Sequence, residues 1–339
     1  MQINRMGLDI AKSIFQVHGV DKRGEPVVRR RLKRREVVPF FSKLSPCLVG
    51  MEAGRGAQYW ARQLLQLGHE VRIMAAQYVR PYLKGGKNDA NDAEAICEAV
   101  GRPSMRFVPI KSSDQQAIQA LHRVRERLVE ERTAKGNQIR GFLAEEGIVV
   151  PVGIGRLRRL LPRVLEDAEN GLSALLREVL AGLYAQLCQL EQWVSGAEAR
   201  IRRLFNETQA CQRLATMTGV GPIIATALVA AVGDPKVFKN GRQFSAWLGL
   251  VPRQHSSGGR TQLGGITKRG DTYLRKLLVQ GARAALKVAP KKEDPQSQWA
   301  MRLLQRRHKH ITAVALANKM ARIAWCLLRR NEDYRYALA

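Results

Sequence analysis

Acidic side chains are scarce in this chain of 339 residues. Asp and Glu number 29 against 57 Lys and Arg, for a formal charge of +28. That balance points to a polyanion as partner and leaves open whether it is DNA, RNA or an anionic membrane surface. The five cysteines (Cys47, Cys97, Cys188, Cys211, Cys326) form no CxxC pair and have no His at zinc-finger spacing. Neither a disulfide framework nor a structural zinc site is therefore expected, and buried free thiols are. Aromatics make up 6%, and few interleave with basic residues, which removes support for recognition by base stacking. No unbroken run of about 18 apolar residues appears and the N-terminus lacks a secretory pattern, so a soluble intracellular protein with no membrane partner is expected.

The first hundred residues read as α/β. "RMGLDIAKS", "IFQVHGV" and, after the turn "DKRGE", "PVVRRRL" predict a three-strand antiparallel meander. A helix over Glu36–Leu44, a strand at "CLVGME", a helix around Tyr59–Leu67, a strand at "EVRIMA" and a helix carrying Asp92 through Val100 follow. This order suggests a mixed sheet covered by helices. From about Ser113 the texture changes to long helices. Ile118, Leu121, Leu128, Ile139 and Leu143 mark one apolar stripe; Leu172, Leu176, Val179, Leu183, Leu187, Leu190 and Val194 mark another. "EEGIVVPVGIG" separates them, which fits either an antiparallel hairpin packed within the chain or an inter-subunit coiled coil. The last third is helical and rich in glycine. Three regions are expected, at 1–110, 111–203 and 204–339.

Against the basic background, "KNDANDAEAI" sets Asp89 and Asp92 three residues apart, on one face of a helix. Asp9 lies in the first strand between Leu8 and Ile10, and Glu52 falls just past "CLVGM". Acids on a meander strand, a central strand end and a later helix can converge at the open edge of one sheet. Four convergent carboxylates suit a pair of divalent ions such as Mg²⁺, which takes oxygen ligands and serves phosphoryl transfer. Each acid alone has a plainer reading: a strand Asp in a turn or ion pair, Asp89 as a helix cap, Glu94 as a solvated side chain off that face.

In the last third, "LATMTGVGPIIATALVAAVGD" has the shape of a helix-hairpin-helix, with Gly219 and Gly221 letting backbone N–H groups approach a phosphate. The alternative is a tight helical turn that touches nothing. "LGLVPRQHSSGGRTQLGGITKRGDTYLRKLL" reads on its own as a phosphate-binding loop, with Arg253, Arg260, Lys268, Arg269 and Arg275 placed to neutralise phosphate oxygens. The block "RRRLKRRE" (29–36) is either a solvated edge that protects an exposed strand or a contact to a nucleic-acid backbone.

"GLDIAK", "GMEAG", "KNDANDAEAI" and "LGLVPRQHSSGG…ITKRGD…LRKLL", in this order along nearly the whole chain, resemble the DEDD-type insertion-sequence transposases of the insertion-sequence-110 type, and the helical acids resemble its 1111-like subgroup. The resemblance implies an N-terminal RuvC-like (RNase H fold) domain, a coiled-coil segment and a mainly α C-terminal transposase domain. It implies that Asp9, Glu52, Asp89 and Asp92 bind the metal. It further implies that Ser257 attacks a DNA phosphodiester, leaving a covalent phosphoserine link. Only alignment on "LVPR" selects Ser257 over Ser256; His255, next door, is not required by the family pattern. Lys12, Lys87 and Thr267 fall within the matching motifs as DNA or RNA contacts. The same resemblance implies guidance by a bridge RNA that pairs with donor and target DNA. It also implies dimers assembling to tetramers and a place in the bacterial cytoplasm, at the nucleoid. Other readings stay open: a hydrolytic RuvC-like junction nuclease, a non-catalytic nucleic-acid-binding protein, and, last, an actin-like ATPase suggested by "GLDIAKS".

Overall fold

The computed structural model describes residues 2–85 and 88–335. Two compact units result, Met1–Ser113 and Asp114–Ala339.

The first unit is built on a six-stranded sheet in the order β3-β2-β1-β4-β5-β6. Strands β1 (Arg5–Ile10), β2 (Ile14–Val20) and β3 (Pro26–Lys33) form the antiparallel meander that the apolar runs predict. β4 (Leu48–Glu52) pairs parallel with β1, β5 (Glu70–Met74) parallel with β4, and β6 (Phe107–Val108) antiparallel with β5. Glu52 is the last residue of β4 rather than a residue beyond it. Alternate side chains of the central strands (Met6, Leu8, Phe15, Val17, Leu32, Val49, Met51) enter one core with helices α1 (Val37–Phe41) and α2 (Ala57–Gln66). After the short α3 (Ala76–Val79), helix α4 (Asp89–Val100) covers the opposite face.

Two glycines allow α4 to lie on that face. Gly7 and Gly50 are directly opposite one another on β1 and β4. A Cβ on Gly7 would stand 2.1 Å from the Ala93 carbonyl oxygen of α4, and one on Gly50 2.7 Å from the Val100 side chain. The helix backbone therefore rests directly on β1 at Gly7, while at Gly50 the Val100 side chain fills the space that a Cβ would take. Gly7→Ala is expected to destabilise the unit by about 3 kcal/mol or more, because the clash is with backbone. Gly54→Ala, with open space around its Cβ, should change stability by no more than about 0.5 kcal/mol; denaturant titration of the two variants checks the contrast.

The second unit begins with α5 (Ser113–Glu145), α6 (Ile154–Glu166) and α7 (Ala174–Glu207). The two apolar stripes do meet within the chain: Ile139 and Leu143 share a buried cluster with Leu180 and Leu187. The break between them holds a third helix, α6, whose Leu157 and Leu161 fill the same cluster. Its internal Pro162 hides it from a reading by helix punctuation. The second stripe is also rotated at one position, since Val179 is 41% exposed while Leu180 is buried. α7 runs through the expected boundary at residue 203.

Helices α8 (Gln209–Ala215), α9 (Pro222–Val232), α10 (Gly241–Trp247), α11 (Thr272–Val288), α12 (Pro295–Leu304) and α13 (Lys309–Arg330) enclose a second core around Leu214, Leu228, Phe244, Leu278, Leu316 and Met320. His122 of α5 joins this core, bonded to the Tyr273 hydroxyl at 3.0 Å and to Thr226 Oγ1 at 3.0 Å. Burial pushes its pKa down to about 4. Among the described residues α13 is long and apolar enough to cross a membrane by length and composition, which a search for an unbroken apolar run passes over. Its Ala313, Leu316, Ala317, Met320, Ala321 and Ala324 are buried in the core. Cys47, Cys97 and Cys211 are buried free thiols; Cys188 and Cys326 are half-buried.

Candidate active site

The pleat that points Gly7 and Gly50 at α4 points the residues two further along, Asp9 and Glu52, to the same face. α4 begins there. Asn88 caps it, its side chain accepting the Asn91 N–H at 2.8 Å, so the cap is Asn88 and Asp89 is freed from that role. Asp89 and Asp92 then fall in the first turn, where the helix dipole favours carboxylates. Carboxylate oxygens of Asp9, Asp89 and Asp92 come within 4.8 Å of one another. Burial, and then the charges of Asp92 and Asp89, push the Asp9 carboxyl up to about 6, with a smaller contribution from Glu52. All the charged groups that act on Asp9 are thus carboxylates. Such crowding of like charge is relieved by a shared hard cation, and an all-oxygen donor set suits one.

Glu94 lies on the same helix but is drawn away to Arg29 at 3.6 Å and Lys84 at 3.9 Å, 4.0 Å from His18. It is paired rather than simply solvated. Lys12 is exposed in the β1–β2 turn, its carbonyl accepting from the Arg34 guanidinium at 3.5 Å. Lys87 lies outside the described residues.

In the second unit the stretch expected as a loop is a β-hairpin. β7 (Pro252–Ser257) pairs antiparallel with β8 (Arg260–Ile266) around Gly258 and Gly259, both at positive φ (56° and 77°). Asn and Gly are favoured in such primed turns, and "SSGGR" supplies the two glycines. Ser257 is therefore the last strand residue before the turn, exposed and directly opposite Arg260. Ser256 faces the other side of the ribbon, opposite Thr261, and its Oγ accepts from Gln254 Nε2 at 2.9 Å. His255 shares the Ser257 face, paired with Gln262. Arg253, Lys268 and Arg269 are exposed. Lys268 adopts φ +55°, a conformation uncommon outside glycine.

Two expected nucleic-acid contacts are placed differently. Arg275 is buried, and its guanidinium donates to the carbonyls of Leu248 at 3.1 Å and Gly270 at 3.2 Å and to Thr272 Oγ1 at 3.3 Å. It clamps the segments that enter and leave the hairpin and has no free face for a phosphate. In the sequence its place in the first turn of α11 reads only as a basic residue. Gly219, at φ +89°, abuts α11: a Cβ there would lie 2.4 Å from the Gly281 carbonyl oxygen. Gly219 therefore serves helix packing, while Gly221 at the start of α9 has open space around it. Thr267 Oγ1 is buried without a hydrogen-bond partner. Beside the hairpin base is a cavity of about 1420 Å³ that the sequence does not announce, lined by Leu250, Ile266, Lys268, Trp299, Lys319 and Arg322, among others.

Residues 6–147 match a model of the DEDD transposase domain of the IS110 type, and residues 211–296 match one described as the transposase IS116/IS110/IS902 family. A probable family 20 transposase of Pseudomonas aeruginosa is 52% identical over 336 residues, 99% of each chain. The chain belongs to the IS110/IS116/IS902 family of transposases. The transposase for insertion sequence element IS1111A of Coxiella burnetii is 43% identical, over 98% of this chain and 92% of its own. That for IS1328 of Yersinia enterocolitica is 42% identical, over 95% and 96%. A DEDD transposase domain implies divalent-metal use, and the carboxylate cluster of this family member fits such an ion by its donor chemistry.

The raised Asp9 pKa gives a sign to stability. Between about pH 4 and pH 6 folded Asp9 keeps a proton that the unfolded chain has lost, so metal-free stability falls as pH rises through that window. Asp9→Asn should therefore raise the metal-free melting temperature at pH 7, by the equivalent of about 1 kcal/mol once solvent screening at this half-buried site is allowed for. Added Mg²⁺ or Mn²⁺ should stabilise the wild type and do much less for Asp9→Asn; thermal melts at pH 5 and pH 7, with and without ion, check both.

Proposed function

We propose that this transposase is an RNA-guided DNA recombinase that breaks and rejoins strands through a phosphoserine intermediate. The observation that carries the reading is the pairing, in one family member, of a carboxylate cluster on the first unit with a serine exposed at the tip of an arginine-bearing hairpin on the second. The three-part organisation at 1–110, 111–203 and 204–339 and a RuvC-like fold for the first part belong to this proposal; the strand order 3-2-1-4-5 and the meander-first layout support the fold.

Asp9, Glu52, Asp89 and Asp92 would hold Mg²⁺, two ions per site. When bound, such ions supply Lewis-acid stabilisation of charge on the attacking and leaving oxygens. Ser257 Oγ attacks the phosphorus of a DNA phosphodiester. The Oγ–P bond forms, one P–O bond to a sugar breaks, the hydroxyl proton departs and the leaving sugar oxygen takes one up. Arg260, directly across the strand pair from Ser257, neutralises the phosphate oxygens, with Arg253, Lys268 and Arg269 around the hairpin as further phosphate ligands. Its extended ribbon holds Ser257 away from the core, which suits attack on a phosphodiester of a large substrate. Gly221 at the α9 N-terminus takes a backbone phosphate. A guide RNA pairing with donor and target DNA fits a chain with net charge +28 and few aromatics among its basic residues. A tetramer, in which one subunit's acids meet another's serine, completes the reading.

The test is a covalent-adduct assay. The full chain with its co-purifying RNA is incubated with Mg²⁺ and DNA spanning the element's junction, then denatured in detergent. DNA should remain attached to the wild type, and the adduct should fall at least 100-fold in Ser257→Ala and in Asp9→Asn while Ser256→Ala retains it. Cleavage without an adduct would instead establish the hydrolytic junction nuclease.

A further inference from the structure

The basic block 29–36 is divided by the pleat of β3 into two sets with different surroundings. Val28 and Leu32 belong to the apolar core, so Arg30, which lies between them in the alternation, shares their face. Its guanidinium stands 5.9 Å from the Phe40 ring, and that of Arg34 5.2 Å from the Trp60 ring. These two arginines cover aromatic core residues. Arg29, Arg31 and Lys33 point to the opposite face, the one that carries the acids. The register fixes this: Asp9 pairs with Gln16, and Gln16 with Arg31, so the three form one row across β1, β2 and β3. Neighbouring strands are about 4.8 Å apart, which puts the Arg31 Cα roughly 10 Å from that of Asp9. Arg29, Arg31 and Lys33 are spaced at about 6.8 Å along the edge strand. Arg29 is partly neutralised by Glu94 at 3.6 Å. Among the described residues neither Arg31 nor Lys33 has a carboxylate within ion-pair distance, and both are exposed.

We infer that Arg31 and Lys33, flanked by Arg29, form a track for the sugar-phosphate backbone of the DNA strand whose phosphodiester lies at the acid centre. The occupant is the DNA strand rather than RNA because the track shares a row and a face with Asp9, and a polyanion lying on it continues into the carboxylate cluster. This rests on the proposed nuclease role of that cluster. The acids repel a phosphate backbone, and cations two strands away offset that repulsion on the side from which the strand arrives.

The test compares the full chain carrying Arg31→Gln with Lys33→Gln against one carrying Arg30→Gln with Arg34→Gln. Anisotropy titrations use labelled DNA and RNA of one sequence, in EDTA so that no cleavage occurs, at 50–200 mM salt. The outward pair should lose about tenfold or more in DNA affinity and lower the salt slope by about 1.4–1.8, with RNA affinity unchanged. The inward pair should leave the salt slope unaltered, and Arg31→Lys should bind DNA like the wild type. Equal losses in both pairs would overturn the track in favour of general charge, and loss confined to RNA would assign the face to the guide instead. Divalent-ion stabilisation, preserved in both pairs, confirms that the acid centre is intact. If the recombinase reading fails but the track is right, the adduct is missing while the contrast in DNA binding remains.

Discussion

Close contact between a helix and a sheet organises the first unit. Because Gly7 and Gly50 present no side chains, α4 lies with its backbone against β1 and with its Val100 side chain against β4. The same contact brings the first turn of α4 to the ends of those strands, where Asp9 and Glu52 project. Like charges are thereby forced together, and the Asp9 carboxyl responds with a pKa of about 6. A fold does not ordinarily retain such repulsion. Here the glycines that create it also give the site its geometry, so the destabilising arrangement and the ability to hold a cation have one structural cause.

The second unit solves a different problem, the presentation of an exposed hairpin, with Ser257 at its tip, away from the core. The hairpin β7–β8 has almost no buried side chain of its own. Its direction is set at the root. Thr267 N–H donates to the Val251 carbonyl at 2.8 Å and Lys268 N–H to that of Gly249 at 3.1 Å. Arg275 ties both flanking segments together from inside, and Gly270 packs where a Cβ would meet the Trp247 carbonyl oxygen at 2.0 Å. Asp271 then caps α11 by accepting the Leu274 N–H. A buried cation with its donors satisfied by carbonyls is a structural element, which sets Arg275 apart from the exposed basic residues around Ser257.

Much of this was legible in the sequence. The meander, the later βα alternation and the placement of the DEDD acids on strand, strand end and helix follow from apolar alternation and from spacing, because period-two and helical patterns report burial directly. What escaped has particular reasons. The repeated glycine-x-acid pattern, Gly7 to Asp9 and Gly50 to Glu52, acquires meaning only when the two strands are known to be neighbours in register. Helix α6 is masked by Pro162 and by the glycine-rich break before it. The hairpin at 252–266 is so exposed that it lacks the alternation of a half-buried strand. Arg275 and Arg260 are indistinguishable as letters; only tertiary packing makes one a clamp and leaves the other in solvent. The block 29–36 likewise reads as one charged run until the pleat divides it.

The proposed chemistry depends on the carboxylates of Asp9, Glu52, Asp89 and Asp92 jointly binding divalent ions. The most direct measurement is the anomalous diffraction of crystals of the chain grown or soaked in Mn²⁺. A peak bounded by these four carboxylates, absent from crystals of Asp9→Asn, is the predicted result. Ordered carboxylates with no peak among them, or a peak bound elsewhere and indifferent to Asp9, would contradict it.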